Sequence, residues 1–235
     1  MLIFWRLLLA HLLADFPLQT NRVAHFKRTS PLWMLVHCAT HAATSAILIW
    51  PYINEVWFTV AGMKFYGWMA VAVIFFTHYL QDVWRVYAIH MLRTSDGVIY
   101  FLWDQVVHIG ILFALSAPSI GSGHPMPEKW VVLACLFTII TYGNTILSYF
   151  LDKTLYAAEF PKFDAKYFLM LQRAALWLFF LIPGWQWLPW AAAWTGYSFY
   201  LRKKRLIDLS RAGFYSGLGI TLVAGVAARS LYFGG

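Results

Sequence analysis

Eight apolar stretches, separated by short polar segments, dominate the chain. Their approximate bounds are 2–18, 32–52, 67–88, 98–117, 130–151, 167–182, 186–201 and 212–232. Apolar runs recurring every ~25–30 residues have the period of spanning helices joined by short loops. The pattern predicts an all-α fold, a polytopic transmembrane helix bundle of about eight spans. The first, sixth and seventh stretches are short for a hydrocarbon layer of about 30 Å. Pro183, Gly184 and Pro189 would let 167–201 form one broken or re-entrant hairpin. Thr29-Ser30-Pro31 reads as a helix start, with Ser30 as N-cap and Pro31 in the first turn. Ser95-Asp96 offers the same to the fourth stretch.

The polar positions inside the first four stretches carry the chemistry. Each holds two ionisable side chains four residues apart: His11/Asp15, His37/His41, His78/Asp82 and Asp104/His108. That spacing puts both members of a pair on one helix face. Ionisable groups are expensive within a bilayer, so three aspartates there need partners. Eight metal-competent groups on four helices point to an intramembrane metal site. The candidate ligands are His11, Asp15, His37, His41, His78, Asp82, Asp104 and His108. Without metal, the same groups would form buried His–Asp ion pairs, and some aspartates would orient imidazoles instead of binding.

The pairs repeat. His11 to His37 and His78 to Asp104 both span 26 residues, and His11 to His41 and His78 to His108 both span 30. The loop His25-Phe26-Lys27-Arg28-Thr29-Ser30 echoes His90-Met91-Leu92-Arg93-Thr94-Ser95. This reads as a duplicated two-helix hairpin, 1–52 and 67–117, with a symmetry axis along the membrane normal. Residues 1–117 would form the four-helix site and 118–235 the supporting helices. The pairs come late in the first and third stretches and early in the second and fourth, so all would lie at similar depth. His11, His41, His78 and His108 would form the deeper layer, and Asp15, His37, Asp82 and Asp104 the shallower one. Two layers would have room for two ions.

Composition agrees with a membrane protein. The chain of 235 residues is 61% hydrophobic and 12% charged, against about a quarter charged in soluble domains. The net charge of +8 suits loops held inside by positive charge, and no nucleic-acid platform is visible. The odd-numbered loops and their margins hold Arg22, Lys27, Arg28, Arg85, Arg93, Lys153, Lys162, Lys166, Arg202, Lys203, Lys204, Arg205 and Arg211. The even-numbered loops hold Lys64 and Lys129. Odd loops are therefore expected in the cytoplasm, with both termini outside. Trp185, Trp187, Trp190 and Trp194 would form an aromatic belt on the opposite side. No cleavable signal peptide is expected, because the first apolar stretch lacks a basic lead and contains His11 and Asp15. Cys38 and Cys135 read as packing residues. His25, His90 and His124 fall in loops. Gly213, Gly217, Thr221 and Gly225 step by four along the last stretch. Such a stripe serves close helix packing, within the chain or in a homo-oligomer through Gly213, Gly217 and Gly225.

His11-Leu12-Leu13-Ala14-Asp15-Phe16-Pro17-Leu18-Gln19 resembles the signature HLLaDFxxQ of a bacterial inner-membrane family of unknown function. A histidine-rich second helix, then HxxxD, then DQxxH complete that signature. His37/His41, His78-Tyr79-Leu80-Gln81-Asp82 and Asp104-Gln105-Val106-Val107-His108 match it over about residues 8–110. The later glutamate-arginine pair of that family corresponds to Gln172-Arg173, so its acid is missing here. The chain is also distantly similar to membrane-bound metal-dependent hydrolases. The resemblance implies a location in the bacterial inner membrane and adds weight to the site.

Three functions compete. A metal-dependent hydrolase would act on a lipid or lipid-linked substrate. It would use zinc, or else iron or manganese, with Asp15, Asp82 or Asp104 as general base. Asn144 and Arg173 would lie near the shallow layer, Arg173 pairing with Asp104 or binding a substrate phosphate or carboxylate. A carrier for divalent cations or protons would use stacked His/Asp layers, but needs a polar path to the far side. A di-iron oxidative enzyme matches in ligand number, without the adjacent histidines of membrane desaturases.

Overall fold

The computed structural model describes residues 1–116, 128–157, 159, 163–207 and 210–234. His124 and Lys162 lie outside these. Two compact units divide the chain, Met1–Cys135 and Leu136–Gly235.

The first unit is a ring of four helices. These are α1 (Leu2–Asp15), α3 (Pro31–Leu48), α4 (Gly67–His90) and α5 (Val98–Leu115). α1 and α4 each pack on both α3 and α5. That order is the one an exchange of the two hairpins leaves unchanged. α3 starts as expected, with Ser30 at the N-cap and Pro31 opening the first turn. α5 starts from Gly97, whereas Ser95-Asp96 was expected there. Asp96 instead binds Arg28 at 3.1 Å and Arg85 at 3.4 Å.

Two elements depart from the sequence expectation. A short helix, α2 (Asn21–Phe26), follows Thr20, whose hydroxyl accepts from the Val23 amide. Between α3 and α4 lies a β-hairpin, β1 (Val56–Val60) with β2 (Met63–Tyr66), so the fold is mostly helical without being all-α. Ala61 and Gly62 both adopt positive φ, 50° and 83°, as a two-residue hairpin turn requires. Phe58 and Phe65 stack across the strands with centroids 4.4 Å apart. Trp57 turns inward, fully buried, and its indole N–H donates to the Tyr52 carbonyl.

The hairpin closes an apolar plug. Ile3, Leu7, Ile49, Trp57, Ala70, Ile74 and Leu112 form one buried cluster. Leu7, Ile74 and Leu112 each stand one turn from a histidine of the same helix. The ring interior is therefore apolar on one side of the histidines and polar on the other.

In the second unit, α7 (Asn144–Tyr156), α8 (Phe163–Phe179) and α9 (Trp187–Lys203) surround or adjoin α10 (Arg211–Phe233). α7 continues from α6 (Lys129–Thr138) through a π-turn at Ile139–Gly143. The small-residue stripe of α10 is filled from within this unit. A Cβ on Gly213 or Gly217 would meet Asp152 or Arg173, respectively, at 2.9 Å, and one on Gly225 would clash with the Phe180 ring.

All eight apolar stretches are largely helical. Among the described residues three helices are long and apolar enough to cross a membrane by length and composition: Val98–Leu115, Lys129–Tyr156 and Arg211–Phe233. Three such helices are the mark of a membrane protein.

Gly67 is the tightest backbone contact at the ring. A Cβ there would sit 2.7 Å from the Tyr52 carbonyl oxygen, and backbone cannot yield as a side chain can. Gly67→Ala should lower stability in detergent by about 1–3 kcal/mol. Gly219→Ala, which meets open space, should not. Equal melting of the two variants would show that the hairpin does not fix the start of α4.

Candidate metal centre

The ring geometry turns all four pairs inward. His11, His37, His41, His78, Asp82, Asp104 and His108 are buried, and the Asp15 side chain is 10% exposed. The imidazoles touch. His41 stacks on His78 at 3.7 Å between centroids, and His78 lies 4.2 Å from His108. His11 lies 5.1 Å from His41 and 5.4 Å from His108. The expected deeper layer is thus one contiguous cluster.

Among the described residues two groups could hold a metal ion: Asp15, His37, His41 and His78, and His78, Asp82 and His108. Within each group, one donor atom per residue lies within 4.8 Å of all the others. The first group is the more compact. Asp15 Oδ1 is 3.2 Å from His41 Nε2 and 3.4 Å from His37 Nε2, and His37 Nε2 is 3.1 Å from His78 Nε2. A tetrahedral ion with bonds of about 2.0–2.1 Å sets its donors about 3.3 Å apart. These three edges match that figure. In the second group, Asp82 is 3.8 Å from His78 and 4.0 Å from His108.

Hydrogen bonds fix several ring orientations. His108 Nδ1 lies 2.8 Å from the Asp104 carbonyl oxygen, so it carries the proton. Nε2 then bears the lone pair, and this buried atom has no hydrogen-bond partner. A lone pair aimed inward with nothing to accept from is how a metal-ligating imidazole is held. His37 Nε2 accepts from the Lys27 ammonium at 3.0 Å, so its one lone pair is engaged there, and an ion bound at His37 would displace that ammonium. His11 differs. Its Nε2 faces two oxygens, Asp15 Oδ2 at 3.3 Å and Gln105 Oε1 at 3.3 Å, and therefore donates. His11 belongs to neither candidate group and orients Asp15 instead.

The three carboxylates have different neighbours. Asp82 receives the Lys27 ammonium at 2.9 Å. Asp104 receives Arg85 at 2.8 Å and stands outside both groups. Asp15 faces His11, His37 and His41 and the Gln105 amide. Among the described residues it has no lysine or arginine partner, so the positive charge its burial demands must come from imidazolium or a bound cation.

Lys27, Arg85 and Gln105 were not expected at the site. Lys27 follows α2 and reaches in from the loop, Arg85 continues the His78/Asp82 face one turn further along α4, and Gln105 sits one residue from the Asp104/His108 face. Gln105 stands in the DQxxH motif, which offered the one sequence signal for it. Gln19, placed one turn beyond Asp15, bonds the Asp15 carbonyl. Arg173 and Asn144 lie in the second unit. Arg173 donates to Thr145 and Ser148, and Asn144 to the Gly217 carbonyl. The arginine bonded to Asp104 is Arg85, not Arg173. A cavity of about 40 Å³ adjoins Asp82 on the loop side, lined by Lys27, Arg28, Met34, Arg85, Val86 and Ile89 among others.

With this geometry in view, comparison with known proteins is informative. The model of a family described as a protein of unknown function (DUF3307) matches residues 3–136. The chain belongs to that family, and the match covers the whole ring and all four His/Asp pairs. No curated protein and no solved structure matches the chain.

Arg85 and Asp104 form a largely buried pair, with side chains 17% and 8% exposed. Arg85→Met should lower stability by about 3–5 kcal/mol, because it strands a buried charge. Adding Asp104→Asn should recover part of that loss. A double variant no more stable than Arg85→Met would show that Asp104 does not depend on Arg85.

Proposed function

We propose that the first unit binds one divalent ion through Asp15, His37, His41 and His78 and works as a metal-dependent hydrolase on a lipid or lipid-linked substrate. The observation behind this reading is the set of three donor separations between 3.1 and 3.4 Å around Asp15 and His37. Zinc suits a set of three imidazoles and a carboxylate, and iron or manganese would also be accepted. A neutral imidazole offers one lone pair, so His78 serves one group at a time. One ion, not two, is the stoichiometry that follows.

A bound ion supplies a Lewis acid that polarises an ester or phosphoryl oxygen and acidifies water. Asp82 borders the ion group and lines the cavity on the loop side. We assign it as the general base, with the Lys27 ammonium holding its orientation at 2.9 Å. Lys27, Arg28 and Arg85 beside Met34, Val86 and Ile89 give the cavity cationic and apolar walls. These walls match an anionic headgroup on an apolar tail in chemistry, and the cavity of about 40 Å³ would have to widen to admit one. Asp104, tied to Arg85, has a supporting role in this scheme.

The chain would sit in the bacterial inner membrane, with the eight helical stretches as spans and the odd-numbered loops in the cytoplasm. The site then opens toward the cytoplasm. The apolar plug beyond the histidines speaks against a carrier, because an ion passing through would have to cross it.

Metal content of the purified chain tests the reading. The wild type should carry about one ion per chain. His41→Ala and His78→Ala should lose it, while His108→Ala keeps it. Loss in His108→Ala with retention in His41→Ala would move the ion to the second group. Wild type without metal, after purification in zinc, would replace the ion with His–Asp pairs. For catalysis, Asp82→Asn should keep the metal but slow lipid-ester or phosphoester turnover about 10²–10⁴-fold. Unchanged turnover would remove Asp82 as the base.

A further inference from the structure

The second unit contains a buried cation that no acid among the described residues balances. Arg173, on α8, is 7% exposed. Its guanidinium donates to two neutral hydroxyls, Thr145 Oγ1 at 2.9 Å and Ser148 Oγ at 3.2 Å. Among the described residues no carboxylate pairs with it. Asp152, one turn beyond Ser148 on α7, is bonded instead to the Ser210 amide and hydroxyl. The α10 backbone makes room for this arrangement. A Cβ on Gly217 would meet Arg173 Nη2 at 2.9 Å. The chain therefore shapes a helix–helix contact around an uncompensated charge, which is costly in any apolar interior and more so within a membrane.

Arg173 also lines a small cavity. It holds about 30 Å³ and is lined by Arg173, Leu176, Phe214 and Leu218, with Ser198 and Thr221 at its polar positions. The two hydroxyls already donate to backbone carbonyls, Ser198 to Trp194 and Thr221 to Gly217. Gln172 spends its amide on Ser198. Arg173 is thus the wall's one cation, and its five N–H donors exceed the two hydroxyls that accept from it.

We propose that this cavity binds one small monovalent anion, of halide size, against Arg173. An anion supplies the missing negative charge, and the largely apolar wall suits a weakly hydrated one. The volume admits one occupant near the size of a water molecule. A phosphate or lipid headgroup is too large for it. The inference does not depend on a metal in the first unit.

The test compares melting of the detergent-solubilised full chain in sodium chloride and sodium gluconate at equal ionic strength. Chloride should raise the midpoint by about 2–4 °C, the shift that a ligand of modest affinity gives a chain of this size. Sulfate should not raise it. In Arg173→Met the chloride effect should vanish. Should that variant fail to fold, crystals of the wild type soaked in bromide should show an anomalous peak within contact of the guanidinium. Equal midpoints in chloride and gluconate, a chloride effect that survives in Arg173→Met, or bromide-soaked crystals without that peak would each overturn the proposal.

Discussion

Three carboxylates buried in a ring of apolar helices must each be given positive charge, and the architecture of the first unit follows from how that is done. Lys27 serves Asp82, and Arg85 serves Asp104. Asp15 receives imidazoles and an amide. Among the described residues a fixed cation faces two of the three and none the third, and for that reason the proposed ion is placed at Asp15. The four-helix ring supports this by bringing His37, His41 and His78 to the same carboxylate. Loss of any helix from the ring would leave charges exposed to an apolar interior at several kcal/mol each.

Position within the ring sets what the centre can do. On one side of the histidines, Leu7, Ile74 and Leu112 join a dry cluster closed by Trp57 of the hairpin. On the other side, Lys27, Arg28 and Arg85 surround a cavity that reaches Asp82. A centre open at one end and sealed at the other is suited to chemistry on something that enters and leaves by the same route. The β-hairpin thus seals one end of the ring without carrying a polar group to the site.

Much of the site was legible in the sequence because helical spacing is a strong constraint. Pairs four residues apart must share a face, and the matching intervals of the two hairpins placed them at one level. The four deeper imidazoles do cluster, but the layers did not translate into two ligand sets. His37 and Asp15, assigned to the shallower layer, join His41 and His78, while His11 faces oxygens and Asp104 takes an arginine. Long side chains explain these departures. Lys27 reaches its carboxylate from a loop, which no periodicity encodes, whereas Arg85 continues the His78/Asp82 face but read as a charge at the margin of a loop. The hairpin was hidden because Val56-Trp57-Phe58-Thr59-Val60 is short, and its turn uses Ala61-Gly62 in place of the commoner Asn-Gly. In the second unit, the glycine stripe was readable as close packing, but not that Asp152, Arg173 and Phe180 fill it.

X-ray absorption at the zinc edge of the metal-loaded chain addresses the centre itself. The ring geometry predicts a shell of about three imidazole nitrogens and one carboxylate oxygen near 2.0–2.1 Å, with the outer-shell scattering that imidazole rings produce. A shell of oxygens alone, lacking any imidazole signature, would contradict it.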